Sequence, residues 1–207
     1  MYKNKFIEAL TFTSSLGCAV QEFTFDSGTL LTEEKSNVMQ EMLENNGIYS
    51  FKNSAGQCIN WCHALQPLVA KAFDCNVLLT IGQLHFGKKT IYNPTEIDFT
   101  RWHKLGFRKS DFNENTGFNF HAWLTLPSGE ILDLTLWSTL GSIWKKPEMI
   151  DSVICGDPDK IAPYPKYTPI IIGNEYIETV ESITGCEFLS KSNSITDLSR
   201  VHLLMLN

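Results

Sequence analysis

One nine-residue run and the turn behind it constrain this chain more than any other feature: Phe118-Asn119-Phe120-His121-Ala122-Trp123-Leu124-Thr125-Leu126. Strand geometry sends alternate side chains to opposite faces. Phe118, Phe120, Ala122, Leu124 and Leu126 therefore share one face, and Asn119, His121, Trp123 and Thr125 share the other. Pro127-Ser128-Gly129 comes next. Proline suits the first central position of a type I turn, and glycine suits the left-handed position after it. The pattern predicts strands over 118–126 and 131–137 joined by a three-residue loop with a bulge. That loop length sets the register, with Leu126 facing Glu130 and Asp133 facing Trp123. Asp133 then becomes the diagonal neighbour of His121 on one face, about 7–8 Å away backbone to backbone, a gap that a carboxylate and an imidazole close. A two-residue loop would send Asp133 to the other side of the sheet. Taken alone, the pair also fits a cross-strand polar contact on a solvated face, so its chemistry depends on a third residue.

That residue comes from the segment 54–73, which reads as the core helix. Ser54 and Gln57 fit a capping box, and Cys58, Cys62, Leu65, Val69 and Ala72 recur at helical spacing. Pro67 removes a backbone donor and is expected to kink or interrupt the helix near His63. The thiolate is the attacking form of cysteine, and Cys58 sits in the first turn, where the helix dipole favours negative charge. Its backbone N–H is placed to donate to an oxyanion, and Gly56 leaves room for close approach. Cys62 is the rival nucleophile, one turn deeper.

Elsewhere 32–45 reads as an amphipathic helix capped by Thr32, with Glu33 and Glu34 in its first turn, and stopped by Asn46-Gly47. The segment 77–81 reads as a strand. The stretch 85–117 is polar with scattered aromatics (Tyr92, Trp102, Phe107) and reads as a long surface insertion or a lid. Residues 145–169 are expected to wrap the surface, 169–172 to form a last strand, 177–183 to be helical and 201–206 to be a short apolar terminus. The start, 1–18, reads as part of the fold rather than a signal peptide. Helices followed by antiparallel strands favour an α+β fold with helices packed on a sheet.

Gly56-Gln57-Cys58 opening a helix, His121-Ala122-Trp123 on a strand and Leu132-Asp133-Leu134-Thr135 on the next resemble the transglutaminase-like branch of the papain-like cysteine enzymes. The relatives include transglutaminases, arylamine N-acetyltransferases, peptide N-glycanases and bacterial cysteine proteases. The resemblance spans Cys58 to Thr135, and it implies a papain-like core in a single domain over 1–207. It also implies Cys58 as nucleophile, His121 as general base and acid, and Asp133 as the residue orienting the base, with no metal and no cofactor. Gln57, Asn119 and Trp123 are the candidates for substrate or oxyanion contacts, and Trp123 alternatively walls the site, shields the His121–Asp133 pair or only packs. The implied reaction is acyl transfer at an amide or peptide bond of a peptide, protein or small amide, as a protease, amidase, deamidase or transglutaminase. An inactive peptide-binding module of the same fold and a bacterial effector acting on host protein are the competing readings.

The bulk numbers exclude other classes. A formal net charge of −6 offers no basic footprint for nucleic acid, even counting Arg101-Trp102-His103-Lys104. No apolar run approaches the roughly 20 residues of a membrane span. The six cysteines (Cys18, Cys58, Cys62, Cys75, Cys155 and Cys186) are irregularly spaced, which favours reduced thiols in the cytoplasm, or export without a Sec signal. Cys62-His63 has no second ligand pair to hold structural zinc. His63, His85, His103 and His202 read as structural or solvated.

Overall fold

A single long strand, β1 (Leu78–Phe86), organises the chain. The structure, a computed structural model, describes residues 1–113, 117–161 and 165–185; Cys186, His202 and the stretch 201–206 lie outside the described residues. Before β1 come three helices, α1 (Tyr2–Ser15), α2 (Glu33–Asn45) and α3 (Cys58–Phe73). After it come β2 (Lys89–Tyr92), α4 (Glu96–Leu105) and a two-stranded ribbon of β3 (Phe112–Asn113) and β4 (Gly117–Phe118). The expected hairpin follows as β5 (His121–Thr125) and β6 (Ile131–Asp133). Then come α5 (Leu136–Trp144), β7 (Ile154–Gly156), β8 (Lys166–Ile172) and α6 (Glu175–Thr184). The fold is α+β, with a fully antiparallel main sheet in the order β2-β1-β5-β6-β7 and β8 paired to β1. Thr80–Gly82 of β1 pair with both β5 and β8, and Leu84 and His85 with both β2 and β8. One edge of β1 is therefore shared by β5 and β2, and β8 takes the other.

The hairpin register is the one its turn demands. Leu124 pairs with Leu132 and Thr125 with Ile131, Leu126 donates to the Glu130 carbonyl at 2.9 Å, and Gly129 adopts φ +86°. Alternate residues pack into two separate cores. Phe120, Ala122, Leu124 and Leu126 face α2, α3, α4 and α6 through Leu43, Leu65, Phe99 and Tyr176, whereas Trp123 and Ile131 face α1 and α5 through Phe6 and Leu140. Neither face is solvated: every residue of β5 and β6 is buried.

Several expectations are corrected. The stretch 85–117 is not a plain insertion, because β2 and α4 lie inside it. Thr95 and Asp98 form a reciprocal capping box at the head of α4, and Phe99 and Trp102, three residues apart on one helical face, are fully packed. Leu136 and Trp137 belong to a helix and not to a strand. The segment 145–169 does more than wrap the surface: Ile154–Gly156 adds the edge strand β7 by pairing with β6. Pro67 does not interrupt α3. Its cost of about 3 kcal/mol is outweighed by a buried face of Ile59, Cys62, Leu65, Val69 and Phe73, worth roughly 1.5–3 kcal/mol for each large apolar side chain. Thr32 does cap α2, accepting from the Lys35 N–H at 3.3 Å. Among the described residues no helix is long and apolar enough to cross a membrane.

Candidate functional site

The α3 helix begins at Cys58 itself, after a 3-10 turn at Lys52–Ser54 and a left-handed Gly56 (φ +72°). The predicted capping box does not form. Gln57 occupies the cap position without a side-chain bond to the helix, and Ser54 is buried with its hydroxyl unpartnered among the described residues. Instead the Gly56 N–H donates to Thr139 Oγ1 on α5 at 3.0 Å, which ties the start of α3 to α5. A side chain at Gly56 would meet nothing within 4 Å, so the approach beside Cys58 is open. Cys58 is half-buried, and its N–H is one of the helix-start donors that α-helix geometry leaves without an intrahelical partner.

Cys58, at the head of α3, stands near enough to His121 for its thiol to help raise the imidazole pKa. The imidazole Nε2 lies 2.7 Å from Asp133 Oδ2, which leaves Nδ1 as the ring nitrogen for Cys58. Both His121 and Asp133 are 1 % exposed. Burial alone would lower the His121 pKa, but the Asp133 carboxylate, aided by Cys58, outweighs it and raises the group to about 10. Burial likewise opposes ionisation of Asp133, yet the His121 charge and four hydrogen bonds hold its carboxyl below the usual range. Two of those bonds come from the Thr135 and Leu136 N–H groups to Oδ1, at 3.1 Å each. The Tyr167 hydroxyl donates to Oδ2 at 2.8 Å, and His121 supplies the fourth. Asp133 therefore also anchors the N-terminus of α5, where the helix dipole favours an anion.

The other candidates separate. Trp123 is fully buried and cannot touch a substrate. It stands behind the imidazole (ring centroids 6.3 Å apart), packs edge-on to Tyr167 at 5.0 Å and donates Nε1–H to the Tyr2 hydroxyl at 2.7 Å. Gln57 commits one of its two amide N–H donors to the Asn53 carbonyl at 3.0 Å, and its Oε1 is buried without a partner among the described residues. Asn119 is exposed, and its Oδ1 accepts the Asn93 N–H at 3.0 Å. Cys62 is fully buried, bonds the Ala122 carbonyl at 3.5 Å, and has its thiol pushed well up by burial; it is a packing residue. His85 pairs with Thr90, and His103 with Cys18. Two surface grooves of about 510 and 430 Å³ run along α1 and α4 and contain none of Cys58, His121 or Asp133.

Sequence reasoning missed Tyr2, Tyr92, Thr139 and Tyr167. Only the α5 start carried a signal, an Asp two residues ahead of Thr135 and an apolar run, and the strand pattern masked it.

Gly82 makes the Asp133 support possible. It sits on β1 directly opposite His121, where β8 pairs irregularly, and a Cβ there would stand 2.0 Å from the Thr168 carbonyl oxygen. Gly82→Ala is expected to push β8, and with it Tyr167, away from Asp133. The expected cost is about 1–3 kcal/mol, read as a lower urea midpoint with an unchanged m-value. An unshifted midpoint would show that β8 relaxes freely.

Compared with known proteins, the chain matches no family model, no curated protein and no solved structure.

Proposed function

We propose that this protein is a cysteine-dependent acyl-transfer enzyme with a transglutaminase-like variant of the papain-like fold, acting on an amide or peptide bond. The observation that carries the reading is the buried 2.7 Å contact of His121 with Asp133 beside a half-buried Cys58 at the head of α3, near enough to act on the imidazole. A charged pair that is 1 % exposed costs several kcal/mol per ion to desolvate. A merely structural contact at this position is met more cheaply by apolar packing.

With His121 held protonated beside Asp133, Cys58 attacks the carbonyl carbon as the thiolate of a thiolate–imidazolium pair. The carbonyl π electrons move to oxygen, and the Cys58 N–H stabilises the oxyanion. Collapse breaks the carbon–nitrogen bond, and His121 returns the proton to the departing amine. Water or a second amine then attacks the thioester, His121 takes its proton, and the carbon–sulfur bond breaks to release the acyl product and restore the Cys58 thiolate beside the imidazolium. Asp133 holds the ring orientation and stabilises its charge throughout. An amide carbonyl on a peptide, protein or small molecule fits a site that asks only for an acyl carbon and a leaving amine.

Iodoacetamide labelling with mass mapping tests the reading. The thiolate is the reacting form, so Cys58 is expected to react at about pH 6 ahead of Cys155, although Cys155 is the more exposed thiol and burial with a nearby Glu130 pushes it up. The preference is expected to vanish in His121→Ala. Slow, equal labelling of both thiols in the native protein would overturn the enzyme.

A further inference from the structure

Three rings stand in a row on one face of the sheet. Along β1, Thr80, Gly82 and Leu84 lie two residues apart and point the same way. Directly opposite them are Trp123, His121 and Tyr92. Tyr92 lies on β2, which continues the edge of β1 where β5 ends, so strand pairing places the imidazole between an indole and a phenol. The Tyr92 ring is nearly parallel to that of His121, at 12° with centroids 5.4 Å apart, and Trp123 flanks the other side at 27° and 6.3 Å. Tyr92 is 3 % exposed. Asn119, two residues before His121, holds the residue after Tyr92 through the Asn93 N–H, so β2 cannot swing away without breaking a bond to the His121 strand.

Asp133 fixes one nitrogen of the imidazole but leaves the ring free to rotate about that single hydrogen bond. Rotation would carry Nδ1 out of line with Cys58. A flat neighbour closes this freedom, and a phenol face also attracts a positively charged ring. We propose that Tyr92 is a positioning residue for the acyl transfer assigned above: its ring, laid against the imidazole of His121, sets the plane in which Nδ1 meets the Cys58 sulfur. The inference rests on that assignment of His121 and Cys58. The titratable groups facing the imidazole are Asp133 on β6, Cys58 on α3 and Tyr92 itself, with Tyr167 on β8 acting through Asp133. The strong upward shift of Tyr92, caused by burial and then by Cys58 and Asp133, keeps its hydroxyl neutral while the site is at work.

The test compares Tyr92→Phe and Tyr92→Leu by two readouts, the pH profile of Cys58 alkylation and the ring resonances of His121 by NMR. Phenylalanine keeps the flat face, and its profile is expected to stay within about threefold of the native one. Leucine keeps bulk without the face. It is expected to slow alkylation below neutral pH by about 10- to 100-fold, the scale of a 1 Å misplacement, and to move the His121 titration downward. His121→Ala in the same series separates the two failures. If His121→Ala leaves Cys58 labelling unchanged, the enzyme reading fails. If it abolishes the preference while Tyr92→Leu matches Tyr92→Phe in both readouts, Tyr92 is packing alone and this inference is overturned. Should the leucine variant not fold, Tyr92→Trp, with a wider face, is expected to retain the native profile, and a loss there equal to that of His121→Ala also overturns it.

Discussion

Asp133→Asn is expected to cost about 3–5 kcal/mol of stability, the penalty for breaking a buried ion pair by removing one partner, and to slow reaction at Cys58 by about 10⁴-fold, the size seen when the orienting carboxylate of an acyl-transfer triad becomes an amide. The reason is the hydrogen-bond inventory. Oδ1 keeps the Thr135 and Leu136 N–H groups, so the new amide nitrogen faces the Tyr167 hydroxyl and His121 Nε2. An amide N–H is a donor, so the imidazole must turn its Nε2 into an acceptor. The ring is then neutral with its proton on Nδ1, the tautomer that cannot take a proton from Cys58. The pH dependence follows from the signs. His121 is raised in the folded state, so its contribution is full below its unfolded value near 6.5 and is lost as pH rises toward about 10. Asp133 is lowered, so its contribution is present above its unfolded value near 3.9 and is lost as pH falls through its depressed folded value. Urea unfolding from about pH 2 to 10 is expected to show both slopes in the native protein and neither in the variant. An asparagine protein with the native pH curve would mean that the pair is not ionised.

How much of this was legible in the sequence varies by element, for physical reasons. The register of the hairpin was readable because Pro127 and Gly129 specify a turn and a turn specifies a register, but its strands are shorter than the alternation implied, His121–Thr125 and Ile131–Asp133. That a core helix opens close to Cys58 was readable, but its start was expected at Ser54 and falls at Cys58, and the bond that ties this start down comes from Thr139, 83 positions away. The helix α4 escaped notice because it buries only Phe99 and Trp102, too few apolar positions for a periodic signal, although Thr95 and Asp98 were there to be read. Tyr92 and Tyr167 carry no local mark at all. Their roles depend on which strands lie beside β1, a long-range outcome that no window of sequence contains. Trp123 was placed on the correct face, and the order of its readings inverted once that face proved to be a second core: packing behind the imidazole, not substrate contact, fits its burial.

Trp123→Ala follows from that inversion and is expected to cost about 3–5 kcal/mol, the range for deleting a buried large aromatic. The indole walls the space between α1 and the His121–Asp133 pair. It touches His121 and Tyr167, and through Tyr2 it joins a buried chain of Thr125 and Thr80 hydroxyls linked at 2.7 Å. Removing it leaves a cavity beside two charges, polar enough to admit water. Water raises the local dielectric, which weakens the attraction between His121 and Asp133 and lets both titrate nearer their ordinary values. Trp123→Phe separates the two roles. It keeps most of the wall and loses only one donor to Tyr2, a hydrogen bond worth about 0.5–1.5 kcal/mol. Denaturant unfolding is expected to rank alanine well below phenylalanine, with the alkaline slope assigned to His121 flattened in alanine and kept in phenylalanine. If the two variants fall together, the indole N–H rather than the ring protects the pair. If both stay within about 0.5 kcal/mol of the native protein, Trp123 shields nothing and the pair is held by Asp133 and Tyr167 alone.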